Sequence, residues 1–148
     1  MKELFEKLKE RVAEARKSLK IASPWIEECL LEKLLEVLPK GIKIEVILRS
    51  QELKDLAITG EGTFRTLNKF GADVYISDRL HAKLVIVDDL LALVGSANLT
   101  GAGMREEGNL EAMVLLEGEE AKRLSELFED YKRHLCSTPF WCKVVGFF

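Results

Sequence analysis

The chain has 148 residues, 47% hydrophobic and 32% charged, the size of one domain that buries about two-thirds of its unfolded surface. A net charge of -3 and a pI near 5.6 exclude a surface built to coat nucleic acid through many phosphate contacts, so any polyanion must be gripped locally. No run approaches the ~20 apolar residues that span a bilayer. The charged start MKELFEKLKERVAEARKSLK lacks the apolar core of a secretory leader, so a cytoplasmic location without stable membrane insertion is expected.

In chain order, Leu4, Phe5, Leu8, Val12 and Ala15 recur at helical spacing with Lys and Glu between them, which predicts an amphipathic opening helix. A short strand follows at 19–22. Ser23-Pro24 has the form of an N-cap with a first-turn proline and predicts a helix through Leu38, ended by Pro39-Lys40-Gly41. Residues 42–48 read as a strand, and 51–70 carry a weaker helical pattern broken by Gly60 and Gly62. Further strands are predicted at 72–76, 83–87, 90–94 and 110–116. A last helix at 119–135 sets Leu124, Leu127, Phe128, Tyr131 and Leu135 on its inner face.

Residues 84–87 (LVIV) are apolar on both faces of their strand, which requires helices on both sides of the sheet. The elements therefore predict an α/β fold, an α/β/α sandwich with a mixed β-sheet, with residues 1–148 forming a single domain. The apolar ending, residues 137–148 (STPFWCKVVGFF), predicts an interface strand or a chain end. Gln occurs once and Asn three times while Lys and Glu dominate the charged residues, a balance typical of thermophiles.

His81, Lys83 and Asp88 stand in the frame H-x-K-x4-D, and after six intervening residues comes Gly95-Ser96-Ala97-Asn98. Residues two apart on a strand share a face, so His81 and Lys83 project side by side and can address one phosphate. If Asp88-Asp89 is a two-residue hairpin turn, Val87 pairs with Leu90 and His81 lies opposite Ser96, with Asn98 next along that face. Gly95 then lets a substrate oxygen approach the backbone. Five strand steps at ~3.3 Å carry Asp88 roughly 16 Å from Lys83, which assigns Asp88 a structural, turn-fixing role.

Glu111, on a separate strand, is expected to accept the second ring N–H of His81 and fix its tautomer. The expected catalytic set is His81, Lys83, Asn98 and Glu111, and the substrate-binding set is Lys83, Ser96 and Asn98. Neutral imidazole can attack phosphorus while Lys83 and Asn98 hold the non-bridging oxygens. A second acid must protonate the leaving oxygen, a contribution of about 10² to 10⁴ in rate.

Taken singly, each of these residues has a plainer account. Lys83 alone would be a solvated strand-edge lysine, residues 95–98 a turn, and Glu111 a surface carboxylate. Their joint spacing carries the catalytic assignment. Asn109 reads as a loop residue, and Trp25 and Trp141 as core or interface aromatics, since no basic run surrounds either. The cysteines Cys29, Cys136 and Cys142 are too few and too unevenly spaced for a disulfide framework. Together with His134 the last two match no common zinc-ligand spacing, so no metal or cofactor is expected.

These residues resemble the phospholipase D superfamily, whose HxKxxxxD motif followed by GSxN matches His81, Lys83, Asp88, Gly95, Ser96 and Asn98 without a gap. The resemblance is compatible with the whole chain, including Ser23-Pro24-Trp25 and Glu111. It implies the α/β/α sandwich and a metal-free, two-step transfer through a phosphohistidine. In the family a histidine from a second motif supplies the acid, and this chain has one motif. The resemblance therefore implies a homodimer about a two-fold axis, in which His81 of one protomer attacks and His81 of the other protonates.

The chain is similar to the small bacterial single-motif nucleases of the family, whereas its lipid hydrolases and phospholipid synthases usually carry two motifs in one longer chain. Tyrosyl-DNA phosphodiesterases resemble it less, lacking the aspartate that Asp88 supplies. The acidic pI and the absence of a leader separate it from the secreted nucleases. A metal-independent phosphodiesterase acting as a nuclease on DNA or RNA is expected. The alternatives are a phospholipid hydrolase or phosphatidyltransferase, and a non-catalytic phosphate-binding or scaffolding module with a protein partner, which the acidic surface would suit. Weak, salt-sensitive binding with a preference for flexible single strands is also expected.

Overall fold

Phe5, Leu8 and Val12 fall on one stripe of the opening segment, and burying that stripe makes it helix α1 (Lys2–Ala13). The computed structural model describes residues 1–49, 59–104 and 108–136. After α1 come β1 (Ser18–Ala22), α2 (Glu28–Val37), β2 (Lys43–Arg49), α3 (Glu61–Lys69), β3 (Asp73–Ser77), β4 (Leu84–Val87) and β5 (Leu91–Gly95). The short α4 (Gly101–Met104), β6 (Met113–Glu117) and α5 (Glu119–Cys136) complete the described elements.

The strands form one six-stranded sheet in the order β3-β2-β1-β4-β5-β6. β1 pairs parallel with β2 and β2 parallel with β3, while β1–β4, β4–β5 and β5–β6 are antiparallel. This is the mixed sheet that the sequence pattern predicts. Ile21, Val46, Val85 and Leu93 face α1, α2 and α3 through Leu8, Leu34 and Phe64. Ala22, Ile47, Ile86 and Ala92 face α5 through Ala121 and Phe128. The doubly apolar strands are thus sandwiched, as required of a sheet with no wet face.

Four local expectations are corrected. The helix predicted from Ser23-Pro24 begins only at Glu28. Ser23 does not cap it, because its Oγ donates to the Trp25 carbonyl (2.8 Å) and accepts the Leu99 N–H (3.1 Å). An isolated parallel bridge between Ile26 and Leu99 continues that tie, so the segment after β1 is committed to the 95–98 region.

The hairpin register is shifted by one: Val87 pairs with Leu91, not Leu90. Asp88 and Asp89 both adopt positive φ (55° and 59°), and Leu90 joins the turn with its N–H donating to the Val87 carbonyl at 3.0 Å. The shift sets the Lys83 carbonyl against the Gly95 N–H (3.3 Å) and removes the predicted opposition of His81 and Ser96.

β6 starts at Met113 rather than 110, since Ser96 Oγ takes the Ala112 N–H (2.9 Å) that a ladder carbonyl would otherwise accept. On α5, Leu124 and Tyr131 are half-buried and Phe128 and Leu135 buried, but Leu127 is exposed. Of the weak helical stretch at 51–70, residues 61–69 are helical, with Gly60 at positive φ (83°) before them. The part at 51–58 lies outside the described residues, as do Trp141, Cys142 and the ending 137–148.

The sheet face under α5 also carries charges that the strand pattern did not announce. Lys20 and Glu45 are buried on β1 and β2. The Lys20 ammonium pairs with Asp89 (2.9 Å) and Glu129 (3.1 Å), and Lys132 pairs with Glu129 (2.8 Å) and with Glu45. Ser125 donates to Asp89, and Lys17 adds a further pair to it at 2.7 Å.

Burial alone would raise the Asp89 carboxyl, but hydrogen bonds from Lys17, Ser125 and Lys20 outweigh it and hold the group well below the usual carboxylate range. Glu129 is likewise lowered, with burial opposed by Lys132 and Lys20. Both carboxylates therefore contribute stability that is fully present above their ordinary values of 3.8 and 4.5. That stability is lost as pH falls below those values toward the lower folded ones. Asp89→Asn is expected to cost about 2–3 kcal/mol at neutral pH, reduced from the full buried-pair loss because water still reaches the carboxylate. Urea melts at pH 7 and pH 3 check it: the variant should lose less stability on acidification than the parent.

Candidate active site

Residues 78–83 leave the end of β3 and enter β4, and this loop presents His81 and Lys83. Its shape is fixed from two sides. The Arg79 N–H donates to Ser77 Oγ (3.1 Å), and the Arg49 guanidinium, at the end of β2, donates to the Leu80 carbonyl (3.3 Å). His81 is exposed while Lys83 is 9% exposed. The Lys83 ammonium donates to the His81 carbonyl (2.9 Å) and lies 3.5 Å from its Nδ1. The adjacency predicted for these two residues is therefore present.

Burial pushes the Lys83 ammonium below its ordinary value of 10.5; the Glu111 carboxylate pulls the other way, and the charge of Arg49 adds to the lowering. A lysine held in this way disfavours the folded state below its ordinary value, because folding weakens its hold on the proton. Lys83→Met is accordingly expected to raise stability by about 0.5–1 kcal/mol, discounted for solvent that still reaches the ammonium, while turnover falls by about 10²-fold or more. Thermal melts and a phosphodiester assay read the two effects in one preparation.

At the end of β5, Ser96 is tied to the start of β6. Its N–H donates to the Ala112 carbonyl (2.9 Å) and its hydroxyl donates to Glu111 Oε2. Glu111 thus engages Ser96, and the hydrogen bond expected from the His81 ring to Glu111 is not formed. Gly95 has a packing reason beyond substrate approach, since a Cβ there would lie 2.1 Å from the Ala112 carbonyl oxygen and 2.7 Å from Met113 Cα. Asn98 is half-buried, with Oδ1 sealed off and without a hydrogen-bond partner. Asn109 lies exposed in the loop before β6, as predicted.

Asp88 is held apart from this centre. Its carboxylate accepts the backbone N–H groups of Arg16, Lys17 and Ser18 at 2.7–3.1 Å, closing the α1–β1 connection. The rise of five strand residues between Lys83 and Asp88 accounts for this separation. Sequence reasoning missed Arg49, which reaches the loop from β2, and the placing of His134 in one cleft with His81. The available signal for Arg49 was its position at the carboxyl end of a parallel strand, where α/β sheets gather their ligands.

The family model described as "Cardiolipin synthase, PLD-like domain" matches residues 8–132. The chain belongs to the phospholipase D superfamily. It is 27% identical to the major cardiolipin synthase ClsA of Bacillus subtilis (strain 168) over 149 aligned positions, which take in 90% of this chain and 30% of that protein. The chain thus spans under a third of that curated relative.

Among solved structures the fold is shared with NucT from Helicobacter pylori, at a TM-score of 0.69 and 19% identity over 86% of each chain. It is shared also with the phospholipase D family member Nuc from Salmonella typhimurium, at 0.65 and 18% over 84% of each. Within the superfamily this chain carries one copy of the motif.

Proposed function

We propose that this phospholipase D superfamily member is a metal-independent phosphodiesterase that cleaves DNA or RNA, at a site completed by a second copy of the chain. The observation that carries the reading is an exposed His81 imidazole beside the buried Lys83 ammonium, with the Arg49 guanidinium tied to the same loop. One cation beside the imidazole and a second bound to the loop that carries it suit a phosphate in an otherwise acidic protein. A ring nitrogen of His81 bonds to phosphorus, the bond to the leaving oxygen breaks, and the partner's imidazole gives that oxygen its proton. Water then attacks the phosphohistidine, losing a proton to the same partner imidazole and freeing His81. Asn98, Ser96 and Glu111 orient the phosphate and its surroundings.

The fold shared with NucT and Nuc supports the nuclease reading. Among the described residues no helix is long and apolar enough to cross a membrane. A second reading, phosphatidyl transfer or hydrolysis, is favoured by the family model and by ClsA. Single-stranded and duplex DNA, RNA and phosphatidylglycerol vesicles, offered in EDTA, separate the two. Cleavage of the oligonucleotides supports the first reading, and turnover of the vesicles alone supports the second. Activity lost with chelator and restored by a divalent cation would overturn the metal-free mechanism.

A further inference from the structure

The cleft that His81 lines has a volume of about 350 Å³ and is bounded on one side by the last turns of α5, through Tyr131, His134 and Leu135. Leu80 and Leu135 are buried at its base beside Ala82. The half-buried Tyr131 ring forms part of its lining, and the exposed Arg79 and His134 complete the rim. None of these groups is needed to attack phosphorus or to hold its oxygens.

We propose that this cleft receives the nucleobase of the nucleotide adjoining the scissile phosphate, which makes the substrate a single strand or an unpaired end. The inference rests on the phosphodiesterase reading and names its substrate class. Three features favour a base. The volume lies at the small end of ligand pockets and has room for about one nucleoside, whereas a diacyl lipid needs a longer apolar channel. The apolar base and the Tyr131 ring offer a stacking surface, and stacking on an aromatic ring is how single-stranded nucleic acids gain affinity without a broad basic track. The planar guanidinium of Arg79 and the imidazole of His134 stand at the rim, where base edges or a neighbouring phosphate would pass. A base inside a duplex cannot enter such a cleft until it leaves the stack, so paired DNA is disfavoured by shape as well as by charge.

The test compares oligothymidylate with an abasic oligomer of identical phosphodiester backbone, using wild type, Tyr131→Ala and Tyr131→Phe. Cleavage is followed directly, and binding is measured by fluorescence anisotropy on the His81→Ala background. Tyr131→Ala should weaken binding and kcat/KM for oligothymidylate by about tenfold and leave the abasic oligomer unchanged. Tyr131→Phe, which keeps the ring, should restore both. Wild type should bind oligothymidylate more tightly than the abasic oligomer. Equal binding of the two by wild type, or equal losses on both in Tyr131→Ala, would overturn the proposal. Failure to cleave either oligomer while base-dependent binding persists would instead overturn the phosphodiesterase reading and leave the base site standing.

Discussion

His81→Ala is expected to lose phosphodiesterase activity by at least about 10⁴-fold while melting within a degree or two of the parent. The imidazole is exposed, so its removal leaves no cavity, yet it supplies the only nucleophile proposed for the first step. Acid-labile, base-stable phosphate should be trapped on the parent during turnover and be absent from the variant. The same substitution probes the shared site. With subunit exchange, an equal mixture of variant and parent leaves about a quarter of the dimers with both imidazoles, and each mixed dimer has an attacker or an acid but not both. Activity should therefore fall faster than in proportion to the variant fraction. A proportional decline, or a fully active monomer in sedimentation at the assay concentration, would remove the partner from the mechanism and make His134, which lines the same cleft, the next acid to examine.

Asp88→Ala should show the opposite division. Its carboxylate accepts three consecutive backbone N–H groups, those of Arg16, Lys17 and Ser18, and its own N–H donates to the Ser18 carbonyl at 2.9 Å. Removing the acceptor leaves these donors to water and loosens the joint between α1, β1 and the β4–β5 turn. The loss is expected to be about 2–4 kcal/mol, or roughly 5–10 °C in Tm. The folded fraction at low temperature should keep most of its kcat, because the contacts of Asp88 lie in the α1–β1 connection and not at His81 or Lys83. An unchanged Tm with lost activity would return Asp88 to the reaction centre. The two variants together separate the motif into a part that reacts and a part that holds the reacting loop's strand in place.

The local pattern of residues was enough to identify the layers of this protein. Alternating helical stripes such as Phe5, Leu8 and Val12, and strands such as residues 84–87 with no polar face, allow few arrangements other than helices on both sides of a sheet. The spacing of His81 and Lys83 likewise fixed their adjacency, because two residues along an extended chain share a side whatever the rest of the fold does. The aspartate's separation from them followed from the rise of a strand.

Decisions that depended on distant segments were not legible. Two aspartates in a turn are compatible with more than one hairpin length, and the choice went to the register in which residues 16–18 capture the Asp88 carboxylate. Ser23 has the chemistry of a helix cap, but the Leu99 N–H, far along the chain, was the donor it met. Glu111 could have reached an imidazole or a hydroxyl, and the strand start that brings Ala112 to Ser96 gave it the hydroxyl. The buried Lys20 and Glu45 became tenable only because Asp89, Glu129 and Lys132 arrive from a turn and a helix to pair with them. Sequence periodicity reports which face of an element must be dry; which polar groups meet across elements is set by how those elements are docked.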